Sequence, residues 1–199
     1  MSAASGVLLQ QELINMSEFY AYGDDTTGIE TVMRFHAVKR WHMIDTTRTQ
    51  TLAEHSANVA LLAFYIASEC PGMFFGPSLP LAGLALLHDV PETFTGDIPS
   101  HTKKKISGID ELEHKVTPLN FKRGDMLDVH QRLLIKMCDL VDGIRFIRLH
   151  GVDVTAKHAR EGLEFQLSNK IEESYQLGWP DAVNKFVRQT TFFYAYEKS

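Results

Sequence analysis

Apolar positions recur along this chain at helical spacing and almost nowhere at the strict alternation of a half-buried strand. Between Leu52 and Glu69, His55, Val59, Leu62 and Ile66 share one helical face. The run LPLAGLALLHD reads as a buried helix that stops where Pro91 disfavours helical backbone at Val90. A long helix is predicted over residues 128–149, with Gly151 as its C-cap. Asp153 caps a following helix that runs to about Leu177, and Asp181 caps the last. Upstream, residues 3–17 suit a short helix, and Asp24-Asp25-Thr26-Thr27 offers N-cap chemistry for another that reaches about Arg40. Pro71-Gly72 and Gly76-Pro77 punctuate a loop, while loops and short helical pieces fill 92–125. No repeat or low-complexity tract interrupts the chain, so the expected architecture is all-α, a single helical bundle over residues 1–199.

Three of these helices carry a polar group where the pattern demands an apolar one. His55 lies on the inward face of its helix. His88 and Asp89 end the second, with Leu81 and Leu84 on the histidine's side. Asp139 sits inside LLIKMCDLV on the side of Ile135. A carboxylate there is costly to desolvate unless it is paired or bound to a cation. Taken singly, His55 reads as a hydrogen-bonded core histidine, His88-Asp89 as a helix end, and Asp139 as a partner for Lys136 or Arg132 one turn away. A divalent ion shared among all four satisfies them together. Cys138, beside Asp139, points about 100° away on a helix and reads as core.

Composition narrows the classes. With 199 residues and 44% hydrophobic content, the chain can bury a sizeable core. A formal net charge of -5 argues against a binder of nucleic-acid polymers, which needs a broad basic face. Any phosphate-bearing partner is therefore small and handled locally. The two cysteines, Cys70 and Cys138, do not make a disulfide framework. The opening MSAASGVLLQ lacks signal-peptide character, and no apolar run approaches the roughly 20 residues of a membrane span. A cytoplasmic protein with no membrane partner is expected.

The ordered set His55, His88-Asp89 and Asp139 resembles the H…HD…D pattern of the HD-domain phosphohydrolases. Arg40-Trp41, Glu54-His55-Ser56, the HDVPE segment from His88 to Glu92, Thr95-Gly96-Asp97 and the Lys136-to-Asp139 spacing resemble its 5′-deoxynucleotidase branch, which includes the phage dATP triphosphohydrolases. The likeness spans residues 40–151, with Pro91 inside the HDxxE motif as a departure from the family's usual wording.

The resemblance implies a metal-dependent enzyme that cleaves the 5′ phosphoester of a deoxynucleotide, either as a dNMP 5′-nucleotidase or as a dNTP, dATP-preferring, triphosphohydrolase. It makes His55, His88, Asp89 and Asp139 the ligands of a divalent transition metal (zinc, cobalt or manganese) and Glu92 the catalytic acid or base. Arg40 is expected on phosphate, Trp41 on the sugar and Asp97 on its hydroxyl. Lys103, within HTKKK, is a further candidate for phosphate, with a solvated face as the competing role. Met43, Ile98 and Pro99 are placed near the base by proximity in sequence. A cyclic or linear dinucleotide phosphodiesterase and a non-catalytic nucleotide-binding module are the alternatives. Homo-oligomerisation is expected, with the aromatic tail from Phe186 to Tyr196 as one possible contact.

Overall fold

The computed structural model describes residues 26–70, 73–74, 78–117 and 127–192. The helix expected over 3–17 and the end of the aromatic tail lie outside them. Helix α1 (Thr26–Arg34) leads to a minimal antiparallel pair, β1 (Lys39–Arg40) with β2 (Gln50–Thr51), and then to α2 (Leu52–Glu69). Next come α3 (Ser78–Leu86), the short helices α4 (Glu92–Thr95), α5 (Ser100–Lys103) and α6 (Ile109–Val116), and the long helices α7 (Val129–His150), α8 (Val154–Gln176) and α9 (Asp181–Phe192).

Helix α7 is the axis of the bundle. It buries Leu134, Met137, Cys138, Val141 and Ile144 among others, with its charged residues between them, as a helix packed against several neighbours must. A capping box starts it: the Asp128 side chain accepts from the Gln131 backbone N–H at 2.9 Å, and the Asp128 backbone N–H donates to the Gln131 side chain at 3.1 Å. Helix α2 crosses it with Val59, Ala63 and Ile66 in the shared core. Helix α3 lies on α2 through Leu81 and Ala85. Helices α8 and α9 close the far side through Leu167, Ile171, Val183 and Val187. Thr51 caps α2 by accepting from the Glu54 N–H, and Asp153 caps α8 by accepting from the Ala156 N–H.

Two expected boundaries move, each near the place where functional side chains emerge. Helix α1 ends at Arg34 rather than at Arg40. The chain then turns so that the Val38 carbonyl accepts from the Leu52 N–H, and Arg40 pairs with Gln50 across the two strands. A two-residue ladder is too short to leave an alternating pattern in sequence. Helix α3 ends at Leu86, three residues before Asp89. Residues 87–91 form tight successive turns, with the Val90 N–H on the Leu87 carbonyl, and the helix leaves Leu79 and Leu86 exposed.

Gly151 does follow α7, but in extended rather than left-handed backbone (φ -68°, ψ 134°). Its glycine character answers to crowding: a Cβ there would lie 2.7 Å from both the Ala156 methyl and the Ile147 carbonyl oxygen. The same corner binds the segment after Arg40, with the Thr47 N–H on the His150 carbonyl and the Val152 N–H on the Asp45 carbonyl. Replacing Gly151 by Ala is expected to destabilise the protein by about 1–3 kcal/mol through overpacking. Denaturant unfolding measures this directly, and an unchanged midpoint would show that the corner is loose.

Candidate metal centre and adjoining cleft

Helix α2 delivers His55 to the interior at 0% exposure, where α7 meets it with two carboxylates one turn apart. His55 Nε2 lies 3.3 Å from Asp139 Oδ1, and His55 Nδ1 lies 2.7 Å from Asp142 Oδ2. The turns after α3 bring the other pair: Asp89 Oδ2 is 3.4 Å from His55 Nε2 and 3.1 Å from His88 Nε2. Ligand atoms of His55, His88 and Asp139 all lie within 4.8 Å of one another. The four residues singled out in the sequence are thus brought into one cluster.

Both imidazoles are oriented alike. His88 Nδ1 is 2.7 Å from the Ala85 carbonyl oxygen, which can only accept, so this nitrogen carries the proton. His55 Nδ1 faces the Asp142 carboxylate in the same sense. The two Nε2 atoms point into the cluster, buried and without a hydrogen-bond partner among the described residues. A pair of orphaned imidazole nitrogens beside two carboxylates is the donor set of a divalent transition-metal site.

Arg40 enters from β1. Its Nη1 lies 3.2 Å from Asp89 Oδ2 and 3.9 Å from Glu92 Oε2, and its Nη2 lies 3.8 Å from Asp139 Oδ1. Burial alone would lower the pKa of this guanidinium, but Asp89, Asp139, Asp97 and Glu92 raise it above its ordinary value. Lys136, one turn before Asp139, reaches Asp139 Oδ2 at 2.5 Å.

The carboxylates diverge in character. Burial works to raise Asp89, yet His88, His55 and Arg40 hold it well below the usual carboxylate range. Burial likewise opposes ionisation of Asp139, and His55 and Lys136 outweigh it. Glu92, at the start of α4, follows the opposite course. Burial and the negative charge of Asp89 push it up to about 9, against the opposing pull of Arg40. Neighbouring carboxyl groups whose environments drive them apart mark an acid and its ionised partners. Cys138 is buried and its thiol pushed up by desolvation, which leaves it as core.

Beside the cluster opens a cleft of about 640 Å³, lined by Val38, Lys39, His42, Met43, Asp97, Ile98, Pro99 and neighbours from α4 and α5. Met43, Ile98 and Pro99, singled out for the base, therefore border one space with Asp97. Gly96, at φ 76°, makes the turn that carries Asp97 to this wall. Asp97 Oδ2 accepts from the backbone N–H of Trp41 at 3.3 Å. The Trp41 indole is half-buried, stacked on Phe146 at a centroid distance of 6.3 Å, and donates from Nε1 to Gln50 Oε1 at 2.8 Å. Lys103 is paired with Glu113 Oε2 at 2.6 Å, so its charge is already engaged.

Sequence reasoning missed Asp142, Gln50 and Asn58, which surround His55. Asp142 had a readable signal, a second carboxylate three residues after Asp139 within an apolar helix, open to the same desolvation argument. Gln50 and Asn58 carried none.

The family described as YfbR-like 5′-deoxynucleotidase matches residues 29–119. The dATP triphosphohydrolase of Salmonella phage PMBT28 is 31% identical over 160 residues, spanning 76% of this chain and 81% of that protein. A 5′-deoxynucleotidase of Cronobacter sakazakii is 33% identical over 92 residues, 45% of this chain and 42% of that one. Among solved structures, the cyanophage S-2L HD phosphohydrolase (DatZ), bound to dA and one catalytic Zn2+ ion, matches at a TM-score of 0.70 and 24% identity, over 81% of this chain and 92% of that chain. The chain belongs to the HD-domain phosphohydrolases, in the branch that unites the YfbR-like 5′-deoxynucleotidases with the phage dATP triphosphohydrolases.

Proposed function

We propose that this enzyme hydrolyses the 5′ phosphoester of a deoxynucleoside triphosphate, with dATP preferred, and releases the deoxynucleoside and triphosphate. The observation that carries hydrolysis is the convergence of two buried Nε2 atoms, without a hydrogen-bond partner among the described residues, with the Asp89 and Asp139 carboxylates beside a nucleotide-sized cleft. The triphosphate reading is supported by the phage relative, which matches over 76% of this chain. Action on a dNMP, releasing phosphate, is the second reading. It is favoured by the 5′-deoxynucleotidase family match over residues 29–119.

His55, His88, Asp89 and Asp139 would hold the divalent transition metal. Such an ion supplies Lewis acidity toward an α-phosphate oxygen and makes water nucleophilic near neutral pH. The forked guanidinium of Arg40 suits phosphate oxygens better than an ammonium would, and its Nε is buried with no partner among the described residues. With one oxygen on the Trp41 N–H, the Asp97 carboxylate keeps the other for a sugar hydroxyl. Glu92, whose carboxyl is pushed up by burial and by Asp89, is placed to give its proton to the departing 5′ oxygen. Its burial at the edge of the cluster keeps that proton from bulk water.

Incubation of the protein with each dNTP and dNMP in the presence of zinc, cobalt, manganese or magnesium is expected to yield deoxyadenosine and intact triphosphate from dATP. Release of phosphate from dNMP alone would install the second reading, and no deoxynucleoside from any substrate would remove both. Glu92→Gln should lower kcat by about 100- to 10,000-fold through loss of the acid.

The same residue predicts a stability effect in metal-free protein. A carboxyl whose folded pKa is raised contributes stability below its unfolded value of 4.5 and loses it as pH climbs through about 9. Glu92→Gln should therefore gain on wild type across that window, by at least about 1.4 kcal/mol at pH 9. Urea unfolding at pH 5, 7 and 9 reads the trend, and a pH-independent difference would contradict it.

A further inference from the structure

We propose that Asp142 is the positioning residue of the metal centre, a buried carboxylate that fixes the His55 ring with Nε2 turned toward the ion. The inference rests on the assignment of His55 as a metal ligand and goes beyond it by naming what holds the ligand.

Asp142 lies one turn after Asp139 on α7 and is 4% exposed. Both its oxygens are engaged by donors. Oδ2 faces His55 Nδ1 at 2.7 Å and accepts from Gln50 Nε2 at 2.8 Å, while Oδ1 accepts from Asn58 Nδ2 at 2.8 Å. Asn58 sits one turn after His55 on α2, and Gln50 pairs with Arg40 across the small sheet. The imidazole and these two amides engage both oxygens and leave the carboxylate little freedom to rotate.

The geometry decides which nitrogen of His55 carries the proton. A carboxylate against Nδ1 requires N–H there, so in the neutral imidazole that a cation needs the lone pair falls on Nε2, the atom 3.3 Å from Asp139 Oδ1. It also makes the imidazole a better donor to a cation, because the acceptor behind it increases its basicity. Helix α7 thus holds both ends of one ring: Asp139 at the side facing the ion, and Asp142 behind. Gln50 extends the grip. Its Oε1 accepts from Trp41 Nε1 at 2.8 Å, so Trp41, Gln50, Asp142 and His55 form one continuous hydrogen-bonded chain, which the Trp41 backbone N–H ties to Asp97 on the cleft wall.

Asp142→Asn keeps the shape but places an amide N–H₂ where donors already converge, and it removes the charge behind His55. Zinc affinity, measured by competition with a chromophoric chelator, is expected to fall about 10- to 100-fold relative to wild type. The absorption bands of the cobalt-loaded variant are expected to shift as the ring reorients. An affinity within about threefold of wild type, with unchanged cobalt bands, would make Asp142 merely a buried structural acid and overturn the inference while leaving the metal site intact. Wild-type protein that takes up neither metal would overturn the site assignment itself and the inference with it.

A second measurement needs no variant and covers the case of Asp142→Asn failing to fold. In zinc-loaded wild type, a proton-detected nitrogen correlation should show His55 protonated at Nδ1. A proton at Nε2, or none on Nδ1, would overturn the inference.

Discussion

Two carboxylates on one face of α7 hold a single imidazole of α2 between them, and the geometry of the site follows from that grip. His55 is wholly buried, and Asp139 and Asp142 lie in the helix that buries the most side chains among those described. None of the three could stay there alone, because an unpaired charge in such surroundings costs several kcal/mol. Together they are mutually satisfied on the Nδ1 side and remain unsatisfied on the Nε2 side, where Asp89 and His88 complete the cluster. The polar interior is thus one connected network whose open valences all face the same point, and a cation there would complete it. Helix α7 can carry acids at that depth because its other positions pack against α2, α8 and α9.

What could be read from sequence tracks how regular the backbone is. Helices α2 and α7 announce themselves through apolar spacing, and α7 also through the end signals Gly151 and Asp153 just beyond it. Their polar intruders, His55 and Asp139, are visible because the pattern around them is unbroken. His88 and Asp89 were recognisable as a motif, yet their setting was not, since they sit in turns after α3 instead of in its last turn. A pattern argument sees burial and period. It cannot see that Pro91 and the preceding tight turns wind the chain enough to bring Nε2 of His88 around to Asp89.

Partners brought together from distant parts of the chain were harder still. Lys103 illustrates the limit: a lysine in a basic run looks available for phosphate, but Glu113, on α6, holds it at 2.6 Å, and nothing in the sequence links the two. Asn58 and Gln50 show the complementary case. Each is an ordinary polar residue until α7 is docked, when the Asp142 carboxylate needs donors and these two provide them. Long-range partner choice of this kind is a property of packing, and only the acid's burial, not the identity of its donors, can be inferred from periodicity.

Trp41 joins the metal centre to the cleft, at an evident conformational cost. It is the one non-glycine residue at positive φ among those described, at 61°, a conformation that costs about 1–3 kcal/mol for a bulky side chain. The surrounding contacts over-determine it. Its backbone N–H is held by Asp97, its indole N–H by Gln50, and its ring lies against Phe146. Helix α7 makes space for that ring with Gly143, where a Cβ would stand 3.2 Å from the indole. The turn at Trp41 lets consecutive residues serve different ends: Arg40 reaches inward to Asp89, while Trp41 lies along α7 beside the cleft wall that carries Asp97. Extended backbone through both positions would send their side chains to opposite faces of the strand, whereas here the Arg40 guanidinium comes to 5.5 Å from the Trp41 ring centroid. Asp142 and Gly143, adjacent in sequence, therefore support the two halves of the site separately, one by engaging the His55 ring and the other by leaving space for the tryptophan.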